Sequence, residues 1–325
     1  MKITKAVSGK MRGIAILIIV ASHVAEWIMM NGIISPQLER ISTWGPIGVD
    51  IFFLMSGYAL VKSAENSYEK SGKCNGITWQ YVARRVVAVY LPYLIVQSVL
   101  YTLDGDWAQI DIKRFLIAKD YWFMTVIIVM YVAFMLIWRI FGNSPISAIL
   151  VTIVAIVLSR YFYVKEYLDF WELSNMAFPM GVCLAVTELK LKVNETTEDK
   201  VKLIFWAGTA VTLLLTVMLS INLHSVPMRL FDTAFACEFA LNICFTLFVA
   251  CIAVILSSKE RFKMRALTYI GESSLFIYLI HVRLFWAIMS HPVDLDFLPK
   301  ALITVVADIL VCTVIGTVYN KVTKK

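Results

Sequence analysis

Ten stretches of roughly 20 mostly apolar residues recur along this 325-residue chain, at about 12–30, 45–62, 82–103, 122–141, 145–163, 170–187, 201–222, 230–257, 268–290 and 298–319. A helix of about 20 residues crosses a hydrocarbon core of about 30 Å, and helices are required there because each backbone amide must be satisfied inside its own segment. With 60% hydrophobic and 16% charged residues and a mean hydropathy of +0.76, the chain is expected to live in lipid. The fold class is therefore all-α, a polytopic membrane helical bundle of about ten transmembrane helices. The second and sixth stretches are the most interrupted, by Gly48, Asp50 and Gly57 and by Pro179 and Gly181. No connection is long enough to fold separately, so residues 1–325 read as a single membrane domain.

An even number of spans puts both termini on one side, and basic residues decide which side. With the N-terminus inside, the inner segments hold 21 Lys and Arg, among them Lys10, Arg12, Arg84, Arg85 and Lys263, against eight outside, such as Arg40 and Lys113. Both termini are expected to be cytoplasmic, in a multi-pass protein of the cell (inner or plasma) membrane. The net charge of +7 is mostly this orienting signal and argues against a nucleic-acid partner. The first apolar run carries His23 and Glu26 and lacks a small-residue cleavage site, so it reads as a retained helix rather than a signal peptide. Six cysteines without a C-x-x-C pair suggest neither a disulfide framework nor a metal site; Cys237, Cys244 and Cys251 recur every seven residues as a small-residue seam.

Ionisable side chains inside spans cost about 2.5 to 3.5 kcal/mol each on insertion scales, which makes every one a candidate for function. They are Arg12, His23, Glu26, Asp50, Glu238, His281, Arg283 and Asp308. For Glu26, Arg283 and Asp308 the favoured reading is structural, as ion pairs between helices, for example Arg283 with Asp308 or Glu26. Arg12 and His23 are eleven residues apart, which at 100° per residue brings them to one helix face about 16 Å apart along the axis. An Arg at the cytoplasmic mouth can grip a phosphate, and a deeper His can exchange a proton. A positive-inside anchor and a hydrogen-bonded core histidine explain the same pair. In the second stretch, "GPIGVDIFFLMSGYAL", Asp50, Phe53, Ser56 and Gly57 stand together, and Ser56 with Gly57 offers a small patch for a helix or an acyl chain. No G-x-S-x-G elbow surrounds Ser56, so it is not read as a nucleophile.

Taken together these segments resemble the acyltransferase-3 family of integral membrane O-acyltransferases, which includes bacterial O-antigen and exopolysaccharide O-acetyltransferases. The family's Arg, ten residues, His pattern appears as Arg12 and His23. Its Gly-Val-Asp-x-Phe-Phe-x-x-Ser-Gly stretch appears as Gly48, Val49, Asp50, Phe52, Phe53, Ser56 and Gly57. Arg84 and Arg85 followed by Tyr90 and Pro92, then Tyr121, Trp122 and Phe123, then Tyr278, Leu279 and His281, complete the likeness. Ala88 departs from a commonly basic position, the proline lies one place late, and Arg283 stands where proline is common.

The resemblance implies transfer of an acyl group, usually acetyl, from cytoplasmic acyl-CoA to a hydroxyl of a cell-surface glycan or its lipid-linked precursor. It makes His23 the candidate general base, and His281 an oxyanion donor or second proton carrier. Arg12, Arg84 and Arg85 would hold the phosphates of CoA, although the Arg pair also reads as a membrane anchor. Asp50, Phe53, Ser56, Trp122 and Glu238 would line the substrate path or support it. Acetyl-CoA is then a co-substrate, with no permanently bound cofactor and no metal. The expected partners are acyl-CoA, the glycan or lipid-linked sugar acceptor and the lipid bilayer, with a homodimer left open. A proton-coupled transporter would also bury His, Asp and Glu near the midplane, and is the alternative.

Overall fold

A computed structural model of the chain describes residues 3–105, 111–119, 121–165, 174–190, 207–212, 214–215, 234–258, 264–290 and 297–323. The described residues are helical and contain no strand, as the apolar periodicity requires. Among the described residues six helical segments are long and apolar enough to cross a membrane: Lys5–Met30, Pro36–Ser71, Cys74–Leu103, Trp122–Phe141, Pro145–Val164 and Pro299–Thr323. A seventh is reached if Arg265–Glu272 and Ser274–Ser290, which meet at a 74° bend, count as one span. The sixth apolar stretch of the sequence contributes a helix of 14 residues, Ala177–Lys190, and most of the seventh lies outside the described residues.

We number the helices α1 (Lys5–Met30), α2 (Pro36–Ser42), α3 (Gly45–Ser71), α4 (Trp79–Arg85), α5 (Leu91–Asp104), α6 (Ile112–Leu116), α7 (Trp122–Phe141), α8 (Pro145–Val164), α9 (Ala177–Lys190), α10 (Ala234–Ser258), α11 (Arg265–Glu272), α12 (Ser274–Ser290) and α13 (Phe297–Thr323). Local chemistry explains several boundaries. Gly142, at a φ of 56°, ends α7, and the Ser144 hydroxyl then accepts from the Ile146 amide at 3.2 Å with Pro145 in the first turn, so α8 starts at once. Between α4 and α5 the chain widens into a π-helical turn, Val86–Tyr90, directly before Leu91 and Pro92. Proline lacks an N–H and its ring collides with the carbonyl four residues back, which a π turn relieves.

The chain divides into two compact units. The first comprises Met1–Ser8, Val49–Tyr81 and Tyr121–Lys263. In it α3 and α9 cross at glycines: a Cβ on Gly57 would collide with the Phe178 carbonyl, and one on Gly181 with the Leu54 carbonyl. Close backbone approach through small residues is the usual basis of helix association in lipid, where there is no hydrophobic drive between helices. At one end the Glu188 carboxylate accepts from the Tyr58 hydroxyl and from Lys62 at 3.0 Å, while the Ile3 amide donates to Tyr58 at 3.0 Å.

The second unit comprises Gly9–Gly48, Val82–Asp120 and Met264–Lys325. Here α1 crosses α11 at Gly9, Gly13 and Gly271; any Cβ on Gly271 would overlap the Gly9 backbone. The bend between α11 and α12 is fixed from α13, where the Ser273 hydroxyl donates to the Thr313 carbonyl at 3.1 Å. Gly316 leaves room for Ser273: a Cβ there would lie 2.6 Å from the serine's own Cβ. Tyr319 donates to the Val87 carbonyl at 2.6 Å, so α13 also ties down the π turn, whose carbonyls are not all used inside the helix.

Candidate functional site

The second unit brings His23, Glu26 and His281 together. His23 and Glu26 are three apart on α1 and so face the same way; His23 Nδ1 lies 3.1 Å from Glu26 Oε2. A carboxylate only accepts, so the Nδ1–H donates to it and Nε2 is left as the basic nitrogen. The His281 ring centroid is 5.3 Å from that of His23, with the planes tilted by 37°. Its Nδ1 lies 2.9 Å from the carbonyl oxygens of both Ile277 and Tyr278. Carbonyls also only accept, so Nδ1 carries the proton in the neutral ring and Nε2 carries the lone pair. That Nε2 is enclosed and has no hydrogen-bond partner among the described residues, although the residue is only 4% exposed.

Both rings line a cavity of about 200 Å³ with Glu26, Trp27, Phe285, Trp286 and Asp308. Trp27 is part of its wall, stacked on Phe297 at 5.2 Å and 8° and meeting Phe285 and Trp286 edge-on at 4.9 and 5.6 Å. Such edge-to-face contacts satisfy the ring quadrupoles and fix the wall's orientation. The Trp27 Nε1–H is enclosed and has no partner among the described residues. Asp308, on α13, is buried and accepts from the Cys312 thiol at 3.1 Å.

Arg12 lies on the same unbroken α1 as His23, half-buried, about 16 Å away by helical rise. Arg84 is exposed and Arg85 half-buried at the end of α4, where the π turn begins. All five of the residues expected to carry the reaction or hold the donor belong to this one unit.

Asp50, Phe53, Ser56 and Trp122 belong to the first unit, as does Glu238, which is in α10 but whose side chain lies outside what is described. Asp50 is 2% exposed, and Asn242 on α10 presents its amide to it; oriented to donate, the amide nitrogen is 3.1 Å from Oδ1. Phe53 is fully buried against Phe123, 5.0 Å between centroids, and Phe123 in turn meets Trp122 edge-on. Ser56 is half-buried beside Gly57, and a neighbouring helix, α9, takes the space that Gly57 leaves.

Sequence reasoning placed Glu26, Arg283 and Asp308 in structural ion pairs between helices. Glu26 instead pairs on its own helix with His23, and Arg283 lines a different cavity, about 680 Å³, between α5, α12 and α13. The three-residue spacing of His23 and Glu26 was the available signal for the first. Nothing local marks Trp27, Trp286 or Asp308 as neighbours of the histidines, because they meet only through packing of α1, α12 and α13.

No curated protein and no solved structure matches the chain. A family model does: the acyltransferase domain of the acyltransferase-3 type aligns with residues 11–317, a range that holds most of α1, His23 and His281, the Arg pair and most of α13. That range covers most of the 325 residues, six helical segments among the described residues are of membrane-spanning length, and the chain accordingly belongs to the acyltransferase-3 family of membrane acyltransferases.

Proposed function

We propose that this membrane acyltransferase moves an acetyl group from cytoplasmic acetyl-CoA to a hydroxyl of a cell-surface glycan or its lipid-linked precursor, with His23 as general base, in the inner or plasma membrane. The observation that carries the reading is the pairing of His23 with Glu26 beside the unpartnered Nε2 of His281. A carboxylate behind an imidazole holds its tautomer and stabilises the cation that forms when the ring takes a proton.

In this mechanism the acceptor oxygen attacks the thioester carbonyl, a C–O bond forms, and the hydroxyl proton passes to His23 Nε2. The C–S bond then breaks and the CoA thiolate leaves, taking back the proton from the imidazolium. A thiol of pKa about 8.5 needs no strong acid to depart, so the leaving group needs no more than the proton that His23 returns. The backbone carbonyls on His281 Nδ1 favour its role as a proton carrier, since its neutral ring then has an acceptor and not a donor at Nε2. Arg12, Arg84 and Arg85 hold the CoA phosphates, and the neutral pantetheine arm spans the interval from Arg12 to His23 along α1. A charged nucleotide stays at the aqueous face while its uncharged arm enters the protein.

The test is transfer of radiolabelled acetyl from acetyl-CoA into the membrane and glycan fractions of cells carrying the protein. The reading expects transfer by the wild type and its loss in His23→Ala at equal protein level. Wild-type transfer that persists in His23→Ala would remove His23 from the reaction.

A further inference from the structure

The walls of the 200 Å³ cavity have a composition that bears on what the acceptor is. We infer that the cavity between α1, α12 and α13 takes one uncharged sugar ring and rejects acidic sugars. The inference rests on the acyltransferase reading above and narrows its acceptor.

Size comes first. Pockets for drug-sized ligands run to about 300–1,000 Å³, and this one is smaller, with room for a single pyranose and not for a disaccharide. Shape chemistry comes second. A pyranose has apolar C–H faces and a hydroxyl rim, and the rings of Trp27, Phe285 and Trp286, set at near right angles to one another, give an aromatic corner for the former. Glu26 and Asp308 give carboxylates for the latter, and a carboxylate can accept from two neighbouring hydroxyls.

The enclosed polar atoms point the same way. The Trp27 Nε1–H is a donor and His281 Nε2 an acceptor, and neither has a partner among the described residues. An enclosed group left unsatisfied is costly, and although both atoms are closed off from the cavity as the rings stand, a rotation of either ring would offer a hydroxyl a donor or an acceptor.

Charge decides the selectivity. The described lining contains two carboxylic acids and no Lys or Arg; the cation of α12, Arg283, lines the other cavity. A uronic or sialic acid would bring a third carboxylate to a lining whose basic groups are two imidazoles, one of them already paired with Glu26, and like charges there repel more than in bulk water.

The experiment uses the full-length protein in lipid nanodiscs, free of sugar detergents. Matched neutral and uronic methyl glycosides of the gluco, galacto and manno series are titrated and followed by ligand-observed NMR, with acetyl-CoA binding measured in the same sample. At least one neutral glycoside should bind, its uronic counterpart about tenfold or more weaker. Glu26→Gln should shrink that gap to about threefold, and Trp27→Ala should abolish binding of the neutral ring. A uronic glycoside that binds as tightly as its neutral partner overturns the inference, and so does the absence of binding by every neutral glycoside at tens of millimolar. If acetyl-CoA still binds in that second case, only the acceptor assignment fails; if it does not bind either, the acyltransfer reading is what has failed.

Discussion

Replacing Glu26 separates two things its carboxylate does for His23. Glu26→Gln keeps an oxygen that can accept the Nδ1–H but removes the negative charge, whereas Glu26→Ala removes both. At the observed 3.1 Å, full charges at an effective dielectric of about 20 would interact by about 5 kcal/mol. The two side chains are 43% and 50% exposed, and a pair that open is worth about 0.2 to 1 kcal/mol when water reaches it. The transition state lies between these limits, because the bound acceptor and donor displace water from the cavity and imidazolium is formed only then. A loss of about 1 to 3 kcal/mol follows, or about 5- to 150-fold in rate. Glu26→Gln should fall near the lower end and Glu26→Ala near the upper. The assay is the initial rate of labelled acetyl transfer at saturating acetyl-CoA, with KM for acetyl-CoA expected to stay within about twofold because Glu26 is far from the proposed phosphate site. Wild-type rates in both variants would refute the idea that Glu26 works through His23.

Substituting His281 by Gln should lower transfer by about 10²-fold with acetyl-CoA binding intact, the size expected for loss of one proton carrier, as read by kinetics and calorimetry on the same preparation. Gly271→Val should destabilise the second unit by about 1 to 3 kcal/mol, since its side chain would overlap the Gly9 backbone; thermal unfolding in detergent should drop by several degrees. Gly32→Ala meets no neighbouring atom but holds an L residue at a φ of 85°, and should cost about 1 to 2 kcal/mol from backbone strain alone.

The spacing of Arg12 and His23 needed only helical geometry to be read, because α1 is unbroken and both residues sit on it. Gly57 is legible in the sequence as a site of close approach, whereas its neighbour, α9, and the matching approach at Gly181 come only from the packing. The placement of Glu26 was misjudged because rarity in lipid suggested a partner on another helix, while the local partner three residues away was already in view. The tautomer of His281 could not be read at all: it depends on the side chain turning back onto the carbonyls of Ile277 and Tyr278, a rotamer choice set by packing within α12 and its neighbours. The aromatic wall of Trp27, Phe285, Trp286 and Phe297 likewise comes from α1, α12 and α13, and no local pattern links residue 27 to residues 285–297. The π turn before Pro92 lies within the stretch 82–103, which the sequence reads as one continuous span.

The division of labour along α1 is the central claim, and calorimetry of acetyl-CoA binding to the purified protein tests it most directly. Wild type should bind; Arg12→Ala should bind about tenfold or more weakly, since it loses a charge-assisted contact to phosphate; His23→Ala should bind as wild type does. Equal affinities in wild type and Arg12→Ala, or no binding by folded wild type at millimolar acetyl-CoA, would contradict the account.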